Sequence, residues 1–233
     1  MSLAGSKPGP TRLLLVRHGA TALSAENKFS GATGVPLSDE GRAQAARLAE
    51  RLAGVEIDAA FSSPLERALV TAQILAAPRA LEVHVRDGLR EIDHGHWEGL
   101  ARADVERRFA AEYAAWEEDP FTFAPEGGET GVAVLARALP VLREIVVAYA
   151  GRTVLVVSHK ATLRLLLSSV LGFDARGYRD RLDQAPASLN IVDFLDPVRA
   201  RLMLFNDVSH YCDLPRPARR QLSRWWDLAP GSE

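Results

Sequence analysis

An α/β fold, with a mostly parallel sheet covered on both faces by helices, is the architecture this sequence predicts. Three observations carry that expectation. Continuous apolar runs at 12–16, 57–61 and 153–157 have the length and composition of strands buried on both faces, and each is followed by a segment of helical character. All three runs stop abruptly at polar groups: Arg17-His18-Gly19, Ser62-Ser63-Pro64 and Ser158-His159. The 233 residues are 47% hydrophobic and 25% charged, which suits one globular domain of this class and excludes disorder over the whole chain.

In chain order, residues 1–11 are a Gly/Ser/Pro-rich leader without the apolar core of a signal peptide, and 12–16 is the first strand. Pro36-Leu37-Ser38-Asp39-Glu40-Gly41 then opens a helix running to Leu52, with Ser38 as N-cap and two acids complementing the first-turn dipole. The strand at 57–61 leads through Pro64 into a helix ending near Ala77, and 83–85 is a short strand. Residues 87–99 read as loop, 100–118 as an amphipathic helix, and 119–129 as a Pro/Gly-rich loop. A helix over 130–149 is expected to kink at Pro140, 153–157 is the clearest strand, and 160–171 is helical. Segments 190–195 and 201–205 read as a closing hairpin around Asp196-Pro197. The domain is expected to span 12–212, followed by a Pro- and Arg-rich tail, 213–233, whose Trp225-Trp226 pair docks on the body.

Composition narrows the function classes. Lys+Arg 28 against Asp+Glu 30 leaves a net charge of −2, which excludes a chain-wide basic footprint for nucleic acid and a polybasic membrane surface. No stretch approaches the roughly 20 apolar residues of a membrane helix. The most apolar long segment, 132–150, is interrupted by Arg137, Pro140, Arg143 and Glu144. A single cysteine, Cys212, allows neither an internal disulfide nor a multi-thiolate metal site, so a cytoplasmic protein is expected.

In parallel α/β sheets ligands bind outside the carboxyl ends of the strands. Arg17, His18 and His159 stand at such ends, and Arg67 lies one turn into the helix after the second strand. Two Arg and two His converging there would be costly unless an anion neutralises them, and a phosphate suits the planar fork of arginine. A neutral imidazole can take a phosphoryl group covalently while the cations and the second imidazole hold its oxygens. Glu91, in a glycine-flanked loop after the short third strand, is the carboxylate best placed to protonate the leaving oxygen. This scheme uses neither a metal nor a cofactor.

At this point the chain resembles a known family. Arg17-His18-Gly19-Ala20-Thr21, with Gly31 and the segment Pro36 to Gly41 downstream, is similar to the opening of the histidine phosphatase (phosphoglycerate mutase-like) superfamily, phosphatase branch. Ser62 to Thr71, Glu91 with Gly95-His96-Trp97-Glu98-Gly99, Gly127 to Thr130, Val156 to His159 and Phe205 to His210 resemble its later motifs in order. The resemblance covers roughly 13–210. It implies a three-layer α/β/α sandwich with a helical cap insertion, about 97–129, over the pocket. It further implies that His18 is the histidine that becomes phosphorylated and Glu91 the proton donor and acceptor. Arg17, Arg67 and His159 complete the catalytic set; Thr21, Ser30 and Gly31 fall among the substrate-binding positions. Three positions depart from the family's pattern: Ser24 replaces the usual asparagine, Lys28 the usual arginine, and Lys160 the usual glycine. The two lysines keep or add charge, and Lys160 is expected to contact an extra substrate anion.

The expected activity is therefore that of a histidine acid-type phosphatase, a metal-independent phosphoric monoester hydrolase acting on a small-molecule phosphomonoester. Neither nucleic acid nor membrane is an expected partner, and a homodimer is left open. The short span between Glu91 and Gly127 favours a phosphatase over a cofactor-dependent phosphoglycerate mutase, while Lys28 and Lys160 leave room for a sugar bisphosphatase. A catalytically silent phospho-ligand binding module is the alternative of another class. Phe109, Tyr113, Trp116, Phe121 and Phe123 either line the cavity or pack the cap, and His94, His96 and Trp97 either line the leaving-group pocket or pack the loop. His84 and His210 read as structural.

Overall fold

The computed structural model describes residues 9–22, 28–213 and 224–226. Its sheet has six strands: β1 (Thr11–Arg17), β2 (Ala59–Ser62), β3 (Val83–Val85), β4 (Thr153–Ser158), β5 (Leu189–Phe194) and β6 (Ala200–Asp207), in the order β3-β2-β4-β1-β5-β6. The four strands from β3 to β1 are parallel to their neighbours, whereas β5 and β6 are added antiparallel. The sheet is thus mostly parallel, as expected, and the closing hairpin is its antiparallel edge.

Alternation along the strands decides which helix packs where. Leu13 and Leu15 of β1, Phe61 of β2, and Val154 and Val156 of β4 face α5 (Gly131–Ala148) and α6 (Lys160–Val170), meeting Ala138, Leu142, Ile145, Leu163 and Leu166. Leu14, Val16, Ala60, Leu155 and Val157 point the other way, onto α1 (Asp39–Arg51) and α2 (Glu66–Ala76), where Leu48, Ala68, Ala72 and Leu75 receive them. This double burial explains why the strands read as unbroken apolar runs. It yields the three-layer arrangement.

Local signals explain the helix ends. Ser38 Oγ accepts from Gly41 N at 3.1 Å, as its N-cap reading required, and Thr130 Oγ1 caps α5 from Ala133 N at 3.0 Å. α5 runs through Pro140 as one helix. Pro140 and Ala136 lie on the exposed face, so the carbonyl deprived of its intrahelical donor faces water. The single helix expected over 100–118 is instead two, α3 (Arg102–Arg108) and α4 (Ala110–Glu118). Phe109 breaks the run at φ −131° and ψ 46°, laying its ring flat on His96 at 4.3 Å. The short helix α7 (Tyr178–Arg181) was not foreseen.

The cap has its own core. Tyr113 and Trp116 are buried with Phe29, Trp97 and Val105, while Phe109 and Phe123 pack against them. Phe121 packs on Ile92, Val134, Leu165 and Tyr178. The cap aromatics therefore hold helices together, which is the packing alternative of the two readings. Near the tail, Arg224 pairs with Glu106 and donates its backbone N–H to Glu117, and the Arg181 guanidinium stands 5.9 Å from the Trp225 ring.

Two glycines set the loop after β1 against the first turn of α1. A Cβ on Gly19 would lie 2.4 Å from Gly41 O, and one on Gly41 only 2.1 Å from Ala20 O. Both obstacles are backbone, which cannot swing aside as a side chain would. Gly41→Ala is therefore expected to destabilise the fold by about 1–3 kcal/mol, in the manner of an overpacked core. Denaturant unfolding measures this directly.

Candidate active site

The carboxyl ends of β1 and β4, neighbours at the centre of the sheet, open a crevice where the chain leaves for opposite faces: toward α1 after β1 and into α6 after β4. Into it come Arg17 and His18 from β1, His159 from β4 and Arg67 from the first turn of α2. Backbone hydrogen bonds register these ends: His18 N donates to Ser158 O at 3.0 Å, and Ala187 N donates to His18 O at 3.0 Å.

The tautomer of His18 follows from its partner. Nδ1 lies 2.7 Å from Gly19 O, and because a carbonyl only accepts, Nδ1 carries the hydrogen and Nε2 the lone pair. Burial, then the charges of Arg17 and Arg67, push its pKa well below 6.5, so the ring is neutral at pH 7. His159 stands with its ring centroid 5.1 Å from that of His18. Its Nε2 is 2.7 Å from Ser63 Oγ, which already accepts from Leu65 N at 3.2 Å. Burial first, then Arg67, His18 and Arg17, hold this imidazole well below 6.5 too.

Both arginines are anchored by backbone carbonyls. Arg17 Nη1 donates to Gln184 O at 2.6 Å, while Arg67 donates through Nη2 to Gly31 O at 2.6 Å and through Nη1 to Thr33 O at 2.8 Å. Carbonyls orient a guanidinium without cancelling its charge. Among the described residues, Arg17 Nε and His159 Nδ1 are buried with no hydrogen-bond partner. The arginine Nε is a donor in any state, and a buried donor of this kind suits an oxyanion.

Glu91 completes the cluster. Its Oε1 accepts from Ile92 N at 3.0 Å and Thr162 N at 3.1 Å, and its Oε2 from Ala161 N at 3.1 Å, so the carboxyl sits on the first turn of α6. Arg137 grips the chain leading into it, donating to Gly88, Arg90 and Glu91 carbonyls at 2.9, 2.8 and 2.9 Å while paired with Glu129. The loop carrying Ser30 and Gly31 is held from the other side by Glu98, which accepts from Gly31 N at 2.9 Å, Thr33 Oγ1 at 2.6 Å and His94 N at 3.0 Å.

Arg17, His18, Arg67, Glu91 and His159 are thus brought to one place, with Gly31 bonded to Arg67. Thr21 is buried and pairs through its backbone with Leu37; Lys28 pairs likewise with Ala101, at the foot of the cap. Lys160 heads α6 with Nζ 3.2 Å from Asp183 Oδ1. Burial, then neighbouring Arg164, pushes its pKa down to about 7. Ser24 lies outside the described residues. Sequence reasoning missed Ser63, Glu98, Arg137, Thr162 and Asp183. Glu98 stood inside a quoted motif, but its partners at 31–33 are more than sixty positions away. No three His, Cys, Asp or Glu side chains group as a metal site among the described residues.

The family model described as the histidine phosphatase superfamily, branch 1, matches residues 13–208. The chain belongs to that superfamily. A bifunctional protein of Mycobacterium tuberculosis is 39% identical over 208 residues, covering 88% of this chain and 56% of that protein; the chain thus spans about half the length of this relative. Phosphoserine phosphatase 1 of Hydrogenobacter thermophilus is 34% identical over 163 residues, 70% of this chain and 77% of its own. The structure of a mycobacterial glucosyl-3-phosphoglycerate phosphatase superposes with a TM-score of 0.77 at 31% identity, covering 84% of this chain and 99% of that one. The fold of this superfamily member is therefore shared along nearly the whole of a solved phosphatase. No helix among the described residues is long and apolar enough to cross a membrane.

The depressed histidines have a consequence for stability. With folded values below 6.5, the unfolded chain binds more protons than the folded one once the pH falls below that value. Their contribution is full above pH 6.5 and is lost as the pH drops toward the folded values. Thermal melts between about pH 8 and pH 5 are expected to show this fall, with a shallower slope for His159→Gln.

Proposed function

We propose that this protein is a phosphomonoester hydrolase that works through a phosphohistidine on His18. The observation that carries the reading is the tautomer of His18: Nδ1 donates to Gly19 O at 2.7 Å, leaving a neutral Nε2 beside two buried guanidiniums. In the first step Nε2 forms a bond to phosphorus as the ester P–O bond breaks, and Glu91 gives its proton to the departing oxygen. In the second, water attacks phosphorus, the N–P bond breaks, and the Glu91 carboxylate takes the water proton. Free His18, protonated Glu91 and inorganic phosphate result.

Arg17, Arg67 and the imidazole of His159 hold the equatorial oxygens, where charge is redistributed in the transition state. Positive charge from the protein meets that need, so the scheme calls for no metal or cofactor. Thr21, Ser30, Gly31 and Lys28 line the approach from the loop after β1. The substrate is a small-molecule phosphomonoester, a reading supported by the small-molecule phosphatase names of two of the relatives. A phosphatase rather than a mutase is favoured by the span between Glu91 and Gly127, which holds only the short α3 and α4. The phosphatase names of two of the relatives point the same way.

Hydrolysis of p-nitrophenyl phosphate is expected to persist in EDTA and to vanish in His18→Ala. Glu91→Gln is expected to lower kcat about a hundredfold to ten-thousandfold for a poor leaving group such as glycerol phosphate. Rapid-quench labelling with a radioactive phosphoester should trap an acid-labile phosphoprotein in the wild type only. Full activity of His18→Ala would sink the reading.

A further inference from the structure

Next to the phosphate crevice stand two cations that this chemistry does not use. Lys160 directly follows His159, and its Nζ lies 3.2 Å from Asp183 Oδ1. Arg164, one turn further along α6, has a side chain only 5% exposed and reaches the same oxygen from Nη2 at 3.0 Å. Its Nε is buried without a partner among the described residues. Two basic groups therefore share one carboxylate oxygen, and an anion arriving beside them favours the charged form of Lys160.

The group is fastened to the crevice on both sides. Gln184, adjacent to Asp183, gives the carbonyl that holds Arg17 at 2.6 Å, and the two residues after Lys160 give the backbone N–H groups that hold Glu91. Asp183 is 51% exposed and Lys160 33%, so an arriving anion has access to both. Arg164, by contrast, is fixed and buried. Arg164 keeps its bond to Asp183 when Lys160 turns away, so the carboxylate is not left unpaired. A second anion on the substrate would then meet an ammonium backed by a permanent guanidinium.

We propose that Lys160, supported by Arg164 and released from Asp183, binds a second anionic group of the substrate, so that phosphomonoesters bearing a carboxylate or a second phosphate are selected over their neutral counterparts. The proposal deepens the phosphatase reading and rests on it for the placement of the first phosphate. Lys160 is a specificity residue; Arg164 and Asp183 are positioning residues.

Binding to the full-length His18→Ala protein separates this claim from turnover. Calorimetry would compare 3-phosphoglycerate with glycerol phosphate, and fructose 1,6-bisphosphate with fructose 6-phosphate, so that the two pairs distinguish a carboxylate from a second phosphate. At least one pair is expected to favour the more anionic member by about tenfold or more, the strength of a charge-assisted hydrogen bond. Adding Lys160→Met is expected to bring that ratio near one, Lys160→Arg to retain most of it, and Asp183→Asn to increase it. Equal affinities within both pairs, or a ratio untouched by Lys160→Met, would overturn the proposal. A ratio that behaves as expected in a wild-type protein that hydrolyses none of the four compounds would instead overturn the phosphatase reading and leave this anion subsite standing.

Discussion

Arg17 and Arg67 carry positive charge into the interior, 8% and 1% exposed, where an unsupported charge is expensive. Each is held by backbone carbonyls from loops far away in sequence: Gln184 for Arg17, Gly31 and Thr33 for Arg67. Carbonyls satisfy the N–H groups while leaving the charge in force. The field of these two groups, added to burial, keeps His18 and His159 neutral. A neutral imidazole is a nucleophile; a protonated one is not. The two guanidiniums thus bear on the geometry of the crevice and, second to burial, on the protonation of its histidines.

The surrounding structure is arranged to keep those carbonyls still. Glu98 gathers the Gly31–Thr33 loop through backbone N–H groups and a hydroxyl, and Arg67 takes the same loop from its carbonyl side. Arg137 does the equivalent for Glu91, collecting three carbonyls and the Glu129 carboxylate. Gly19 and Gly41 let α1 come close enough for Gln44 to accept from Ala20 N at 3.0 Å. None of these groups needs to touch a substrate. Their effect is to prevent the charged groups from relaxing away from the position in which an oxyanion satisfies them.

Beyond this chemistry one flank carries further charge. On the α6 side Lys160, Arg164 and Asp183 add a charged group that the phosphoryl chemistry leaves idle. Charge that is idle in one step is available for selection in another, which is the basis of the anion subsite proposed for that flank.

Much of this was legible in the linear chain. Apolar runs ending in Arg17-His18, Ser62-Ser63 and Ser158-His159 dictated strands buried on both faces with polar groups at their carboxyl ends, and Ser38 marked its helix start. Those are local or periodic properties, and periodicity survives in one dimension. The break at Phe109 was invisible because it depends on a ring lying on His96, thirteen positions back. How the helix continues through Pro140 depended on which face met water. Glu98, Arg137, Thr162 and Asp183 became visible only when folding put them against residues dozens of positions away. A hydrogen bond has no sequence signature when its partners are distant; by itself the sequence determined which chemical groups are present and where strands end, and tertiary structure decided which of them share a charge.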